Sequence, residues 1–279
     1  MSSRIIRCGN YSLALGKRTL IMGIVNVTPD SFSDGGQFYD SKLAISHAKQ
    51  LVKEGADIID IGGESTRPGS DSVTQEEEQK RVIPVIEGIA DEVNVPISID
   101  TCKSEVAKAA LNAGACIIND ISAARFDPKI AEMAAKCEVP IVLMHMQGTP
   151  KNMQKNPVYN DVMEDIKEFL KERAAFAVSQ GVPRENIIID PGIGFGKTLQ
   201  NNYDIIKRLR ELRELNFPIL IGTSRKSFIG TTLGLDVDER LEGTLATVTM
   251  SIINGADIVR VHNVKEVKRA VKMTDAIYR

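Results

Sequence analysis

Ile258-Val259-Arg260-Val261-His262-Asn263 is a short apolar run interrupted by one guanidinium and one imidazole, two residues apart. As a strand it turns Arg260 and His262 to the same side, because strand side chains alternate with period two. A strand buried on both faces has little reason to carry such groups at its end unless something anionic is gripped there. Similar apolar runs recur at 19–27, 58–63, 96–100, 116–120, 140–145, 187–190 and 219–224, several of them also finishing in a polar residue. Helix-like stretches follow these runs at 41–55, 74–92, 103–114, 128–137, 160–180, 199–215, 238–254 and 264–277. Eight strand-helix units in about 250 residues predict an α/β chain folded as a single-domain (β/α)8 TIM barrel over residues 1–279.

The boundaries carry matching punctuation. Thr74-Gln75-Glu76-Glu77 has the pattern of a capping box, and Glu76, Glu77 and Glu78 read as a solvated helix start. Gly55-Ala56, Gly114-Ala115, Gly181-Val182 and Gly255-Ala256 place a glycine where a helix ends and the next strand begins. Pro96, Pro140 and Pro218 stand at strand starts, where a missing N–H costs least. Residues 4–18 alternate around Gly9-Asn10, which predicts an N-terminal β-hairpin closing the barrel floor.

Composition narrows the function classes. The chain has 279 residues, 43% of them hydrophobic, and 35 basic against 37 acidic side chains give a net charge of -2. No overall field favours nucleic acid or an anionic membrane, so small molecules are the expected partners. Cys8, Cys102, Cys116 and Cys137 form no C-x-x-C pair, which argues against zinc or a redox couple and fits reduced thiols. With no apolar export segment and no run of about 18 apolar residues, a cytoplasmic location is expected.

Barrel chemistry sits at the C-terminal ends of the strands. There the sequence puts Asn26, Gly62 to Glu64, Asp100, Asn119, Met144 with His145, Asp190, Ser224 to Lys226, and Arg260 with His262. Asp100, Asn119 and Asp190 offer two carboxylates and an amide, and Lys226 adds a donor. A carboxylate accepts two parallel N–H bonds, so this set suits a donor-rich heterocycle such as an aminopyrimidinone. Arg260 and His262 precede the last helix, whose free N–H groups favour an anion, in the quadrant where barrels often hold phosphate. Asp190 to Thr198 ends in Gly-Lys-Thr, but Pro191 stands where a phosphate-cradling loop needs its first glycine, so these glycines read as a loop bringing Phe195 to the mouth, with Thr198 capping the next helix. His47 reads as a surface residue, and His145 is left open between core and site.

Four segments together resemble the dihydropteroate synthase family, and the resemblance runs along nearly the whole chain. They are Val27-Thr28-Pro29-Asp30-Ser31-Phe32-Ser33-Asp34-Gly35-Gly36, Asp60 to Gly69 with Glu64-Ser65-Thr66-Arg67-Pro68, Asp190-Pro191-Gly192-Ile193-Gly194-Phe195, and Gly222-Thr223-Ser224-Arg225-Lys226-Ser227. The resemblance implies a Mg2+-assisted transferase that joins 6-hydroxymethyl-7,8-dihydropterin diphosphate to p-aminobenzoate and releases diphosphate, with sulfonamides competing for the aminobenzoate site. It implies that Asp100, Asn119, Met144, Asp190 and Lys226 hold the pterin, and that Asn26, Arg67, Arg260 and His262 hold the diphosphate, with Asn26 also toward the metal. Thr66, Phe195, Ser227, Pro29 and Phe32 would shape the aminobenzoate pocket, with Thr28 and Asp34 in a closing loop. Asp100, Lys226, Arg260 and His262 would act in the chemistry, in a homodimer. Residues 146–159 receive no role from the resemblance. The rival readings are a pterin-dependent methyltransferase of the same superfamily and a non-catalytic pterin-binding paralogue.

Overall fold

The structure, a computed structural model, describes residues 4–28 and 37–279. Strands β1 (Arg4–Cys8) and β2 (Tyr11–Leu15) form an antiparallel hairpin with Cys8 paired to Tyr11. Eight parallel strands follow: β3 (Leu20–Asn26), β4 (Ile58–Gly62), β5 (Ile97–Asp100), β6 (Ile117–Asp120), β7 (Ile141–Met144), β8 (Ile187–Asp190), β9 (Leu220–Ile221) and β10 (Ile258–Val261). They neighbour one another in the order β8-β7-β6-β5-β4-β3-β10-β9, and a parallel bridge between Ile189 and Ile219 joins the ends into a barrel.

Period two explains both cores. Ile21, Val25, Ile59, Ile61, Ile99, Leu143, Ile189 and Val259 point outward into the main core, beneath the helices. Their alternates Leu20, Met22, Ile58, Ile117, Val142, Ile188, Leu220 and Ile258 point inward and fill the lower barrel. Ile6, Cys8, Leu13 and Leu15 of the hairpin join this inner cluster, while Ile5 is 61% exposed. The hairpin thus seals the floor, and the next inward positions, toward the C-terminal ends, are where the polar residues begin.

The surrounding helices are α1 (Gln37–Glu54), α2 (Gln75–Ala90), α3 (Ser104–Asn112), α4 (Lys129–Lys136), α5 (Val162–Ser179), α6 (Leu199–Arg208), α7 (Ser227–Leu233), α8 (Leu241–Ile253) and α9 (Val264–Tyr278). Thr74 caps α2 by accepting from Glu77 N–H, and Thr198 with Asn201 forms a full capping box on α6. The carbonyls of Pro96, Pro140 and Pro218 accept from Ile59, Ile118 and Ile189, so each proline enters its ladder through its acceptor alone. All four cysteines are free, and no helix of the described residues is long and apolar enough to cross a membrane.

Four expectations change. The stretch 199–215 splits, because α6 tightens into a 3-10 helix over Leu209–Leu215. Its buried Leu209 and Leu212 are three apart, the spacing that a three-residue turn stacks on one side. The strand expected over 219–224 is only Leu220–Ile221, since the chain turns out of the ladder after Gly222 and reaches a left-handed Arg225 at φ 56°. Helix α7 is a seven-residue element between β9 and α8, where the eight strand-helix units place none. Finally, Glu78 is not a solvated residue. It is 1% exposed on the stripe Glu78, Val82, Val85, Ile86 and Ile89 that α2 turns inward.

Candidate active site

Strand register sets the first row of the mouth. Asn26 pairs with Gly62, Gly62 with Asp100, and Asp100 with Asn119, so the ends of β3 to β6 stand level. Met144 pairs with Asp190 across β7 and β8. Gly62 and Gly222 put no side chain into this ring; a Cβ on them would make ordinary contact, 3.4 Å from Asp100 Cβ and 3.7 Å from Arg260 Cβ.

At the centre lies an ion cluster. Arg260 Nε donates to Asp60 Oδ2 at 2.6 Å, and its Nη2 donates to Asp100 Oδ2 at 2.6 Å. Asn119 Nδ2 donates to the same Asp60 oxygen at 3.0 Å. Burial opposes charge on Arg260, but Asp60 and Asp100 hold the guanidinium above its usual value. Burial pushes the Asp100 carboxyl up to about 7 against the pull of Arg260, and the negative charge of Asp60, Glu78 and Asp120 adds to the rise. Arg260, expected as a free anion grip, therefore stands ion-paired, while His262 shares its side as the two-residue spacing requires.

Asp190 closes the opposite wall. Its Oδ1 accepts from Gly192 N–H at 2.6 Å, and burial raises it to about 6 although Lys226, Arg260 and Lys197 favour the anion. A Cβ at Gly192, whose φ is +69°, would sit 1.9 Å from the His145 carbonyl, so only glycine lets this turn close onto β7. Burial and Arg260 lower Lys226 to about 8, although Asp190 and Asp100 support its charge. Its Nζ rests 4.2 Å from the centre of the Phe195 ring.

The cationic corner is built around His262. Ser224 Oγ lies 3.0 Å from His262 Nδ1 and also accepts from the His262 backbone N–H at 3.2 Å. Burial, then Arg225, Arg260, Lys226 and Arg67, lowers His262 to about 3. The ring is neutral near pH 7. A neutral ring carries its proton on one nitrogen, and in the tautomer where the Ser224 hydroxyl donates to Nδ1, Nε2 is the donor. Arg225 stands alongside, donating to Asn263 Oδ1 at 3.0 and 3.1 Å.

Asn26 and Thr66, both half-buried, and exposed Ser227 belong to the mouth by their place on a strand end or loop; among the described residues no side-chain bond ties them to the others. Arg67 is exposed and within electrostatic reach of His262. Pro29, Phe32 and Asp34 lie outside the described residues. Met144 packs with Ile121, Met146, Met153 and Phe195. A cavity of about 430 Å3 beside Arg4, Arg213 and Asp257 is at the floor and shares no residue with this mouth.

Asp60 is a site residue that strand ends alone do not reveal; two places before Gly62, it has the same inward parity. Lys103 is another, binding Glu78 at 2.5 Å and Glu64 of the loop after β4. Residues 146–159 prove to brace the loop after β8, Gln154 donating to Gly194 O and Tyr159 to Gly196 O, each at 2.6 Å. His47 is exposed, and His145 is 6% exposed.

The family model for pterin binding enzymes matches residues 22–262, from the first barrel strand to His262. The dihydropteroate synthase of Clostridium beijerinckii is 50% identical over 98% of this chain and 100% of its own length. The chain belongs to the dihydropteroate synthase family of pterin-binding enzymes. Among solved family members, Xanthomonas albilineans dihydropteroate synthase with 4-aminobenzoic acid superposes with a TM-score of 0.93 at 42% identity, covering 99% of this chain and 98% of that one. The same enzyme in complex with 7,8-dihydropteroate gives 0.88 at 40% identity, covering 98% of each. The family thus shares the barrel, and the residues matched include every wall of the mouth described above.

Proposed function

We propose that this protein is a dihydropteroate synthase, joining 6-hydroxymethyl-7,8-dihydropterin diphosphate to p-aminobenzoate to give 7,8-dihydropteroate and diphosphate. The observation that carries the reading is that one barrel mouth holds both a buried carboxylate wall, Asp100 and Asp190, and a corner of neutral imidazole and guanidinium, His262 and Arg67. Its full-length identity to a dihydropteroate synthase supports the same substrates.

Asp190 accepts two ring N–H groups of the pterin, Asn119 contributes its amide oxygen, Lys226 donates, and Met144 packs on the ring face. His262 Nε2–H, Arg67 and the start of α9 take the diphosphate oxygens, while Arg260 acts from its ion pairs by keeping Asp100 in place. Thr66, Phe195 and Ser227 shape the aminobenzoate pocket, and the same reading assigns Pro29 and Phe32 to that pocket and Thr28 and Asp34 to excluding water. The arylamine is neutral at pH 7 and its nitrogen lone pair needs no strong base. The C–O bond to diphosphate breaks first, its electron pair leaving with the anion; the pterin methylene cation that remains is favoured by Asp100. The amine then forms the C–N bond and loses a proton, and a closed loop keeps water from capturing the cation.

Mg2+ fits this site as a shared ion. Among the described residues no group of three or more His, Cys, Asp or Glu could cage a metal, and Mg2+ commonly binds through one or two protein oxygens plus substrate phosphates. Asn26 offers such an oxygen, and the ion would supply charge neutralisation at the leaving diphosphate. The reading extends to one domain, a cytoplasmic location, competition by sulfonamides, and a homodimer through the barrel wall, where exposed Leu233, Met250, Met273 and Ile277 of α7 to α9 supply apolar surface. The test is turnover. Purified protein, the pterin diphosphate, p-aminobenzoate and Mg2+ should give dihydropteroate and diphosphate in equal amounts. Diphosphate without dihydropteroate, or neither product, overturns the reading, and methyl transfer to or from a pterin would move the chain to the rival class.

A further inference from the structure

Lys197 is 3% exposed, burial holds its amino group well below the usual lysine range, and the group is met by neutral acceptors. Nζ lies 3.0 Å from His145 Nδ1, and donates to Phe195 O at 3.0 Å and His145 O at 3.4 Å. Burying a lysine this way costs several kcal/mol, so a fold that needed only packing would do better with an apolar side chain. The contacts point to what is obtained. His145 directly follows β7 and meets the Phe169 ring at 4.8 Å in an edge contact. Phe195 belongs to the loop after β8, whose Gly192 abuts the His145 carbonyl and whose Gly196 abuts the Gln147 carbonyl. Lys197 is the polar crosslink between these two elements. The carbonyl it grips belongs to the residue whose ring supports Lys226, 4.2 Å away.

We infer that Lys197 is a positioning residue for the aromatic-amine half of the site, fixing the Phe195 backbone so that its ring stands at a set place beneath Lys226. The inference rests on the proposed synthase reading, in which Phe195 lines the aminobenzoate pocket. Lys197 touches neither substrate. It acts through Phe195 and makes no hydrogen bond to Asp190 or Asn119, although Asp190 lies within its electrostatic reach.

The experiment compares Lys197→Met and Lys197→Gln with the unaltered protein, measuring KM for p-aminobenzoate, kcat and the Kd for pterin diphosphate. Lys197→Met is expected to raise the aminobenzoate KM about tenfold while kcat and pterin affinity stay within about twofold. Lys197→Gln keeps one donor and should fall between; it also remains measurable if the Met variant does not fold. In a Phe195→Leu background, Lys197→Gln should change the aminobenzoate KM by less than about twofold, because the element it positions is already gone. Equal losses for both substrates, an undiminished effect in the Phe195→Leu background, or no effect at all would overturn the inference. The unaltered protein separates the failures: no turnover by it overturns the synthase reading, whereas turnover with an unchanged variant overturns only the role of Lys197.

Discussion

Arg260 Nη2 sits 2.6 Å from Asp100 Oδ2, so the strongest cation of the mouth is already committed to a carboxylate. Its Nε serves Asp60 in the same way, and Asp60 is fully buried. Removing the guanidinium strands a fully buried carboxylate, Asp60, and a largely buried one, Asp100.

Arg260→Met should therefore destabilise the fold by about 3 to 5 kcal/mol, the usual result of breaking a buried pair from one side. The loss should be smaller at pH 5 than at pH 8, because Asp100, raised to about 7, can take up a proton at the lower pH. Urea unfolding at both pH values measures it; equal losses would mean that the carboxylates are not the penalty.

Asp190 is raised to about 6, above its unfolded value. For such a group the stabilising contribution is complete below about pH 4 and is lost as pH rises through about 6. Asp190→Asn should accordingly raise thermal stability at pH 8, by about 1 to 3 kcal/mol, with little change at pH 4. The same substitution should weaken pterin binding by roughly 1 to 3 kcal/mol, since a charged acceptor is lost. Pterin affinity of the unaltered protein should likewise fall as pH drops below about 6, which a fluorescence titration from pH 5 to pH 8 would follow.

His262 is neutral, and the proposed mechanism makes it a donor to the diphosphate, so His262→Ala should slow diphosphate release from the pterin substrate by about ten- to a thousandfold while aminobenzoate binding changes little. Rapid-quench measurement of diphosphate against equilibrium binding of p-aminobenzoate distinguishes the two. The reverse pattern would move the anion corner elsewhere.

Lys103 is the counter-charge of buried Glu78 and also reaches Glu64, at the base of the loop carrying Thr66 and Arg67. Lys103→Met should cost about 3 to 5 kcal/mol, and Lys103→Met with Glu78→Gln should recover much of it because no buried charge is then left alone. A double variant no better than the single would show that the loss comes from packing.

Gly192→Ala places a methyl group 1.9 Å from a backbone carbonyl and forces a left-handed φ on alanine. The variant should lose at least about 2 kcal/mol of stability and bind pterin more weakly, because Asp190 loses its bond from residue 192 when the turn shifts. Thermal unfolding and pterin titration report the two effects separately.

Most of the barrel is legible because its signals are local. A run such as Ile141–Met144 is apolar on both faces, and a glycine such as Gly55, at φ +105°, marks where each helix must stop. The strand ends Asp100, Asn119 and Asp190 converge on one mouth because a closed parallel sheet leaves them no other place. Glu78 lies on the α2 stripe one turn before Val82, and Asp60 lies two residues inside the end of β4, so periodicity marks both.

By itself, the sequence determined direction: which residues face the lumen, which face the helices, and at which end of each strand the polar groups collect, since these follow from a two-residue period and from chain punctuation. Only the tertiary structure decided partnership. That Arg260 reaches Asp60 and Asp100, 200 and 160 residues away, that Ser224 meets the His262 ring, and that Lys197 binds His145 instead of a phosphate are all distances across a closed barrel. Such distances depend on strand stagger and side-chain reach, which no local pattern encodes.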